Sequence, residues 1–433
     1  MMDVAELATL SRQHLLSESS EDLLLTHTEV SGLHRLTSQS YPLEFVFDRL
    51  AERHGEERAE LTVNYLGRPL MESISVTLTS AVTHKKLAGQ LEDLVSSAPW
   101  DLLLPHACAT VLKKHRAGEP LVTICSQTPI EPLTFSINPI VFKGKISILY
   151  SNGGQGKSTF ALLLAMLSSV GGSVAGFSAL NGNSLFLDFE DDVSVHARRL
   201  QAIQMGHPDL LSARVAYRRC VEPLHKFAPM LIRQIQQDHI QFVVVDSILA
   251  ATGGDSSAEA TTQLFIALRA LNVSVLLIGH TPKNLAEGQD SPTLYGSVFN
   301  SNFARATWEL KKEQEVGEDR LIIGLLNRKS NLSRLHAPIG LQISHEDGGT
   351  RITFEPYDLA DVPDMAAELP LPNRIRNLLE SDGTPRYAKA IADELGASLP
   401  NVRTTLSRND GRKWVHLQGE GKELLWTVLN ARN

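Results

Sequence analysis

One run constrains this chain more than any other. Ser151-Asn-Gly-Gly-Gln-Gly-Lys157-Ser158-Thr159 stands directly behind the apolar Ile146-Ser-Ile-Leu-Tyr150 and directly before Phe160-Ala-Leu-Leu-Leu-Ala-Met-Leu167. The order is strand, glycine-rich loop, helix, and it predicts a phosphate loop. Gly153, Gly154 and Gly156 let backbone N–H groups curl around a polyphosphate, and the helix that follows presents its positive N-terminus. Gln155 and Thr159 complete the contact set. Lys157 is placed to reach the β- and γ-phosphates and the Ser158 hydroxyl to hold Mg²⁺, so ATP and Mg²⁺ are the expected ligands. Ser151 occupies the first glycine position of G-x-x-x-x-G-K-[ST]; the three glycines after it restore the freedom the loop needs.

At 433 residues the chain is long enough for two or three domains with a full-sized core. No stretch approaches ~20 consecutive apolar residues, so no membrane partner is expected. The start, Met1-Met-Asp-Val-Ala-Glu-Leu, lacks the basic residues and apolar run of a signal peptide, and a cytoplasmic location is expected. Cys108, Cys125 and Cys220 have neither metal-ligand spacing nor obvious pairing and read as buried free thiols. The formal net charge of −8 argues against wrapping nucleic acid by bulk charge. Charge is uneven, however: residues 371–433 carry ten Lys/Arg against seven Asp/Glu, a net of +3, which leaves −11 for the rest.

Residues 1–125 read as an N-terminal α+β module, with helical pattern at 42–54, 85–95 and 100–114 and strand-like runs at 60–65 and 73–78. A primase-like role there would need clustered metal-binding carboxylates, and the sequence shows none. A proline-bearing linker is expected at 126–143. From 144 to 357 apolar strands alternate with helical stretches, the pattern of a parallel sheet covered on both faces. Strands are expected at 145–150, 184–188, 241–246 and 273–279, with an antiparallel extension at 305–310, 321–326, 340–344 and 351–355. A second linker spans 358–372. Helical patterns at 374–380, 388–395 and 400–408, then strand-like runs at 413–417 and 423–428, predict a winged helix over 371–433.

Gln241-Phe-Val-Val-Val-Asp246-Ser247 is an apolar strand ending in an acid. In a parallel sheet that end shares an edge with the phosphate loop, where Asp246 can hold the water shell of Mg²⁺; the competing role is a cap for the next helix. A second acidic strand end, Leu185-Phe-Leu-Asp188-Phe-Glu190-Asp191-Asp192, supplies a candidate base or water-positioner in Glu190, while Asp191 and Asp192 cap the helix over 193–205. The strand 273–279 ends in His280, either a sensor of the γ-phosphate or a satisfied strand-end histidine.

Together Gly-Gly-Gln-Gly-Lys-Ser-Thr, Leu-Phe-Leu-Asp-Phe-Glu-Asp-Asp, Val-Val-Val-Asp-Ser, Gly-His-Thr-Pro-Lys, Tyr-Gly-Ser and Asn327-Arg-Lys-Ser-Asn331 resemble the RecA-like ATPases of the RepA-type hexameric helicase group. The resemblance covers roughly residues 130–357. It implies an α/β RecA-like core over 126–357, a catalytic role for Glu190 and for His280, and a homo-oligomeric, hexameric ring with ATP at each subunit boundary. It also implies a basic finger donated by the neighbour. Arg328 and Lys329 match that position, with Arg305 a second candidate. In such a ring the loops 251–257 and 282–295 face the channel, where Lys283 is the basic residue available to a single strand.

The C-terminal Pro400-Asn-Val-Arg403-Thr-Thr-Leu-Ser-Arg408-Asn-Asp-Gly-Arg412-Lys413 reads as a recognition helix followed by a basic wing, with Arg403, Arg408, Arg412 and Lys413 as DNA contacts. A purely scaffolding helical bundle is the alternative. The expected function is ATP hydrolysis coupled to movement along or remodelling of DNA, as a ring helicase or helicase-like replication factor. The N-terminal module is the expected meeting point for replication or recombination proteins. A recombinase or recombination mediator, and a regulatory ATPase with a DNA- or protein-binding winged helix, are the rival readings.

Overall fold

The computed structural model describes residues 25–30, 32–118, 121–126, 128–130, 132–281, 302–315, 317–381, 383–419 and 423–428. The chain divides into two compact units, residues 1–131 with 227–234, and residues 132–226 with 235–433. Segment 227–234 lies inside the helix Leu224–Gln237, so chain order alone would not assign it to the first unit.

In the first unit, β1 (Leu25–Val30), β2 (Leu33–Ser38), β3 (Leu43–Arg53), β4 (Glu56–Tyr65) and β5 (Arg68–Thr77) form an antiparallel meander in chain order. Helices α1 (Ala81–Leu94) and α2 (Trp100–Ala117) supply the other layer, and Phe45, Phe47, Leu61, Leu91, Trp100 and Leu104 lie in its core. Ser80 caps α1 by accepting from the Thr83 N–H. The helix expected at 42–54 is a strand. Leu43, Phe45 and Phe47 alternate inward, but a bulge between Asp48 and Ala51, with Arg49 at φ 51°, breaks the alternation. The apolar positions on either side of the bulge then fall at spacings that mimic a helix.

The second unit is built on a nine-stranded sheet. Its strands are β8 (Ile146–Ser151), β11 (Asn183–Asp188), β12 (Val215–Arg219), β13 (Ile240–Asp246), β14 (Ser274–His280), β15 (Ala306–Glu313), β16 (Arg320–Ser330), β17 (Ile339–Glu346) and β18 (Arg351–Pro356). The order is β12-β11-β13-β14-β8-β15-β16-β17-β18; pairing is parallel as far as β15 and antiparallel beyond it. Strands β8 and β13 are largely apolar and, but for Gln241, buried because both sheet faces are covered. Helix α3 (Lys157–Val170) packs its Phe160, Leu163, Leu164 and Leu167 into this core. Helix α4 (Val193–Gly206) starts at Asp192, whose carboxylate accepts from the Ser194 and Val195 N–H groups, as the cap reading expected; Asp191 is not a cap and instead accepts from Arg199 at 3.3 Å. The sequence did not reveal β12, a short and half-exposed edge strand.

Both linkers carry structure. Within 126–143 lie β6 (Phe135–Asn138) and β7 (Val141–Phe142), which pair with β9 (Ser173–Val174) and β10 (Phe177–Ala179) in a four-stranded sheet ordered β7-β6-β10-β9. In the second linker Leu359, Val362 and Met365 are buried as a small cluster. Two glycines make room for it: a Cβ on Gly324 of β16 would meet Met365 Sδ at 2.7 Å, and one on Gly340 of β17 would meet the Tyr357 carbonyl at 2.1 Å.

The C-terminal segment has its own core of Ile375, Leu379, Ile391, Val402, Leu406, Trp414 and Trp426. It comprises α5 (Leu371–Ser381), β19 (Arg386–Tyr387), α6 (Ala388–Leu395), α7 (Leu399–Arg408), β20 (Trp414–Gln418) and β21 (Leu424–Val428), with strand order β19-β21-β20. Cys108 and Cys220 are buried, but Cys125 is exposed, against the expectation of three buried thiols.

Candidate functional site

Strand register gathers the site on one sheet edge. Asp188 lies beside Asp246, Asp246 beside Ile278, and His280 beside Ser151, so the ends of β11, β13, β14 and β8 form a row ahead of α3. The loop after β8 reaches Lys157 through Gly154 at φ 69° and Gly156 at φ 85°, a conformation in which a side chain would strain the backbone. Gly156 also packs against Leu321 and Ile343.

Lys157 is 4% exposed, and its Nζ donates to Ser151 Oγ at 2.9 Å and to the Asn152 carbonyl at 2.8 Å. Burial pulls its pKa down to about 8, against the opposing pull of Asp246 and Glu190. Asp246 is also 4% exposed; burial pushes its carboxyl up to about 6, although the Ser158 hydroxyl bonds to it. A hydroxyl and a buried acid that share a hydrogen bond at the start of α3 fit a hard divalent cation, which prefers oxygen ligands. Ser158 and Asp246 would hold that Mg²⁺, which when bound offsets charge on the β- and γ-phosphates.

Glu190 Oε1 accepts from the Ser247 hydroxyl and lies 3.4 Å from His280 Nε2. His280 chiefly, then Ser247, holds the Glu190 carboxyl below its ordinary range, so it is ionised at neutral pH and can orient a water. Asp188 fixes the turn behind it. Its Oδ1 accepts from the Glu190 and Asp191 N–H groups, and its Oδ2 accepts from the Tyr217 hydroxyl at 2.9 Å and lies 3.0 Å from His196 Nε2. Burial opposes the charge, but these partners outweigh it and hold Asp188 well below the usual carboxylate range.

Three contributions had no role assigned from the sequence: Ser247 and Thr281 stand inside quoted motifs, Lys312 in none, and their contacts follow from register. Thr281 donates its hydroxyl to Asn152 Oδ1, tying the end of β14 to the phosphate loop. Ser247 serves Glu190. Lys312, on β15, donates to the Gly154 carbonyl at 3.3 Å, which puts a further cation against the loop. Gln155 lies in the loop and Thr159 in the first turn of α3.

The structure does not bring Arg328 and Lys329 to this site. Gly156 meets β16 at Leu321, and Arg328 lies seven residues further along the strand, ~23 Å at about 3.3 Å per residue. By register Arg328 lies at the bulge opposite Thr307 and Trp308, which pair with Ile148 and Leu149 in the middle of β8. Arg328 there donates to Glu309 Oε2 at 2.7 Å and through both terminal nitrogens to Glu368 at 2.9 and 3.0 Å. Glu368, first, and Glu309 push its pKa up against burial, and Glu368 in turn is drawn down to about 2, chiefly by Arg328. Lys329 donates to the Ala304 carbonyl at 3.2 Å, and Arg305 is exposed at the start of β15. Lys283 and the loop 282–295 lie outside the described residues. Arg403 and Arg408 are exposed on α7. Arg412 and Lys413 sit in the turn between α7 and β20, not at the hairpin tip, which corrects the expected basic wing.

Residues 114–286 match the family model described as AAA domain, a segment that runs through the phosphate loop, Glu190 and Asp246 to the end of β14. No curated protein matches. Among solved structures, a KaiC-like protein from the hyperthermophilic archaeon Pyrococcus horikoshii OT3 is similar at 17% identity over 53% of this chain and 100% of that one, with a TM-score of 0.38. The matched segment carries the phosphate loop, and the sheet that holds the site gives it a mixed α/β architecture with a large, mostly parallel sheet.

Proposed function

We propose that this chain is an ATP-hydrolysing motor that works on DNA as a ring of identical subunits, hexameric in form, in the role of a helicase or helicase-like replication factor. The observation that carries the reading is the separation of Arg328 and Lys329 from their own phosphate loop. Basic residues ~23 Å along β16 from the loop have no part in hydrolysis at home and suit a neighbour's ATP, as fingers supplied in trans. Arg305 and Lys329, on the same edge, are the companions in that role.

Within a subunit Lys157 follows charge onto the γ-phosphate, Ser158 and Asp246 place the metal, and Glu190 orients the attacking water under the control of His280 and Ser247. Gly153, Gly154, Gln155, Gly156 and Thr159 cradle the polyphosphate. We read α5, α6, α7 and the β20–β21 hairpin as a winged helix that presents Arg403, Arg408, Arg412 and Lys413 to duplex phosphates, with Lys283 toward a single strand. The first unit is the module for replication or recombination partners.

Strand displacement on a forked duplex, with ATP and with a non-hydrolysable analogue, tests the reading. Displacement with ATP alone supports it. Strand exchange without unwinding makes the protein a recombinase, and nucleotide-dependent assembly without either makes it a regulatory ATPase.

A further inference from the structure

We propose that His27, Glu29 and His34 form a divalent-cation site of the zinc type on the core-facing side of β1 and β2. The sequence puts ligand-type residues where the strand alternation calls for apolar ones. Glu29 pairs directly with His34 and His27 with Leu36, so all four share one face. Leu36 is fully buried there, and His34 pairs onward with the core residue Phe47. Polar groups on such a face cost stability unless they are satisfied.

The hydrogen bond between the imidazoles leaves part of this set unused. His27 Nε2 lies 3.0 Å from His34 Nδ1, and Glu29 Oε2 lies 3.6 Å from that same His34 nitrogen. A neutral imidazole donates from one nitrogen, so one proton can serve one of these contacts and leaves the other unmet. A cation takes all three atoms at once. Zinc bonds of about 2.0–2.1 Å in tetrahedral array set neighbouring ligand atoms about 3.3 Å apart, between the two separations seen. The three ligand atoms lie within 4.8 Å of one another. Burial holds both imidazoles below their ordinary pKa, which keeps the lone pairs a metal needs. Two imidazoles and a carboxylate suit zinc over magnesium or calcium and leave a fourth position for water or another ligand.

The test uses the full chain, stripped with a chelator and held in excess Mg²⁺ without nucleotide, so that Ser158 and Asp246 do not compete. Zn²⁺ and Co²⁺ are titrated in, with Co²⁺ read by its visible ligand-field spectrum. Saturation at one equivalent and a tetrahedral spectrum are expected, with binding weakened at least about a hundredfold in His27→Ala, beyond the effect of losing an outer-shell partner. Should His27→Ala fail to fold by circular dichroism, Glu29→Gln, whose side chain is 45% exposed, carries the comparison and is expected to weaken binding at least about tenfold. Absence of saturable binding in the parent protein, or equal binding by the variants, overturns the assignment and leaves a histidine pair joined by a hydrogen bond.

Discussion

Lys157 and Asp246 hold charges that the fold buries, and the nucleotide-free chain is less stable for both. The folded value of Asp246, about 6, lies above its ordinary 3.8. Between those values the folded chain holds the extra proton, and stability falls as pH rises through the window. Lys157 goes from 10.5 to about 8, so from there up to its ordinary value the unfolded chain holds the extra proton and stability rises with pH. Asp246→Asn is therefore expected to raise the unfolding midpoint of the nucleotide-free protein at pH 7.5 by the equivalent of about 1–3 kcal/mol, and by much less at pH 4. It is also expected to remove the stabilisation that Mg²⁺ and nucleotide provide together. A midpoint shift of equal size at both pH values would show that Asp246 is not titrating in this window. Glu190→Gln keeps the shape of the side chain and loses its charge, so nucleotide binding is expected to survive while turnover drops about 10²–10⁴-fold. Asp192→Asn is the control: Asp192 caps α4, and if it were the inactive variant the wrong acid would have been assigned. The phosphate loop, Asp246 and Glu190 were legible in the sequence because each sits at a fixed offset from an apolar strand. Thr281, Ser247 and Lys312 were not, because which residue meets the loop from β14 or β15 depends on register between strands far apart in the chain.

At the scale of elements, the sheet separates the two kinds of basic residue that ATP would require. Lys157 opens α3 at the edge where the strands end, and β16 carries Arg328 back from that edge to the level of Ile148 and Leu149. Lys157→Ala and Arg328→Ala proteins are each expected to be inactive alone, since a finger in trans is worth ~10³-fold or more. Mixed together they are expected to regain part of the turnover, at the interfaces where an intact loop faces an intact finger. No recovery in assemblies shown to contain both chains would place the action of Arg328 in its own subunit. The β-strands of the large sheet other than β12 were readable as apolar runs, whereas β3 was not, because the bulge at Asp48 to Ala51 erases the period-two pattern that identifies a strand. The small sheet of β6, β7, β9 and β10 went unseen for a related reason: strands of two to four residues carry no period at all.

For the whole molecule, the basic balance of residues 371–433 against an acidic remainder makes the C-terminal segment the expected duplex contact. Replacing Arg403, Arg408 and Arg412 together is expected to lower duplex affinity and flatten its salt dependence by up to about three phosphate contacts. An unchanged salt slope after the segment is deleted would make it a protein-contact module. Charge asymmetry was legible without a structure; the path of the chain into that segment was not, since 358–372 reads as featureless proline-bearing linker. That path passes over Gly324 and Gly340 before Glu368 closes on Arg328 and Lys311. The two glycines lie far from the phosphate loop in sequence, yet a side chain at Gly340 would collide with the Tyr357 backbone carbonyl and one at Gly324 would displace the end of Met365, so the seat of this stretch on the strands is set by two residues that have no side chain.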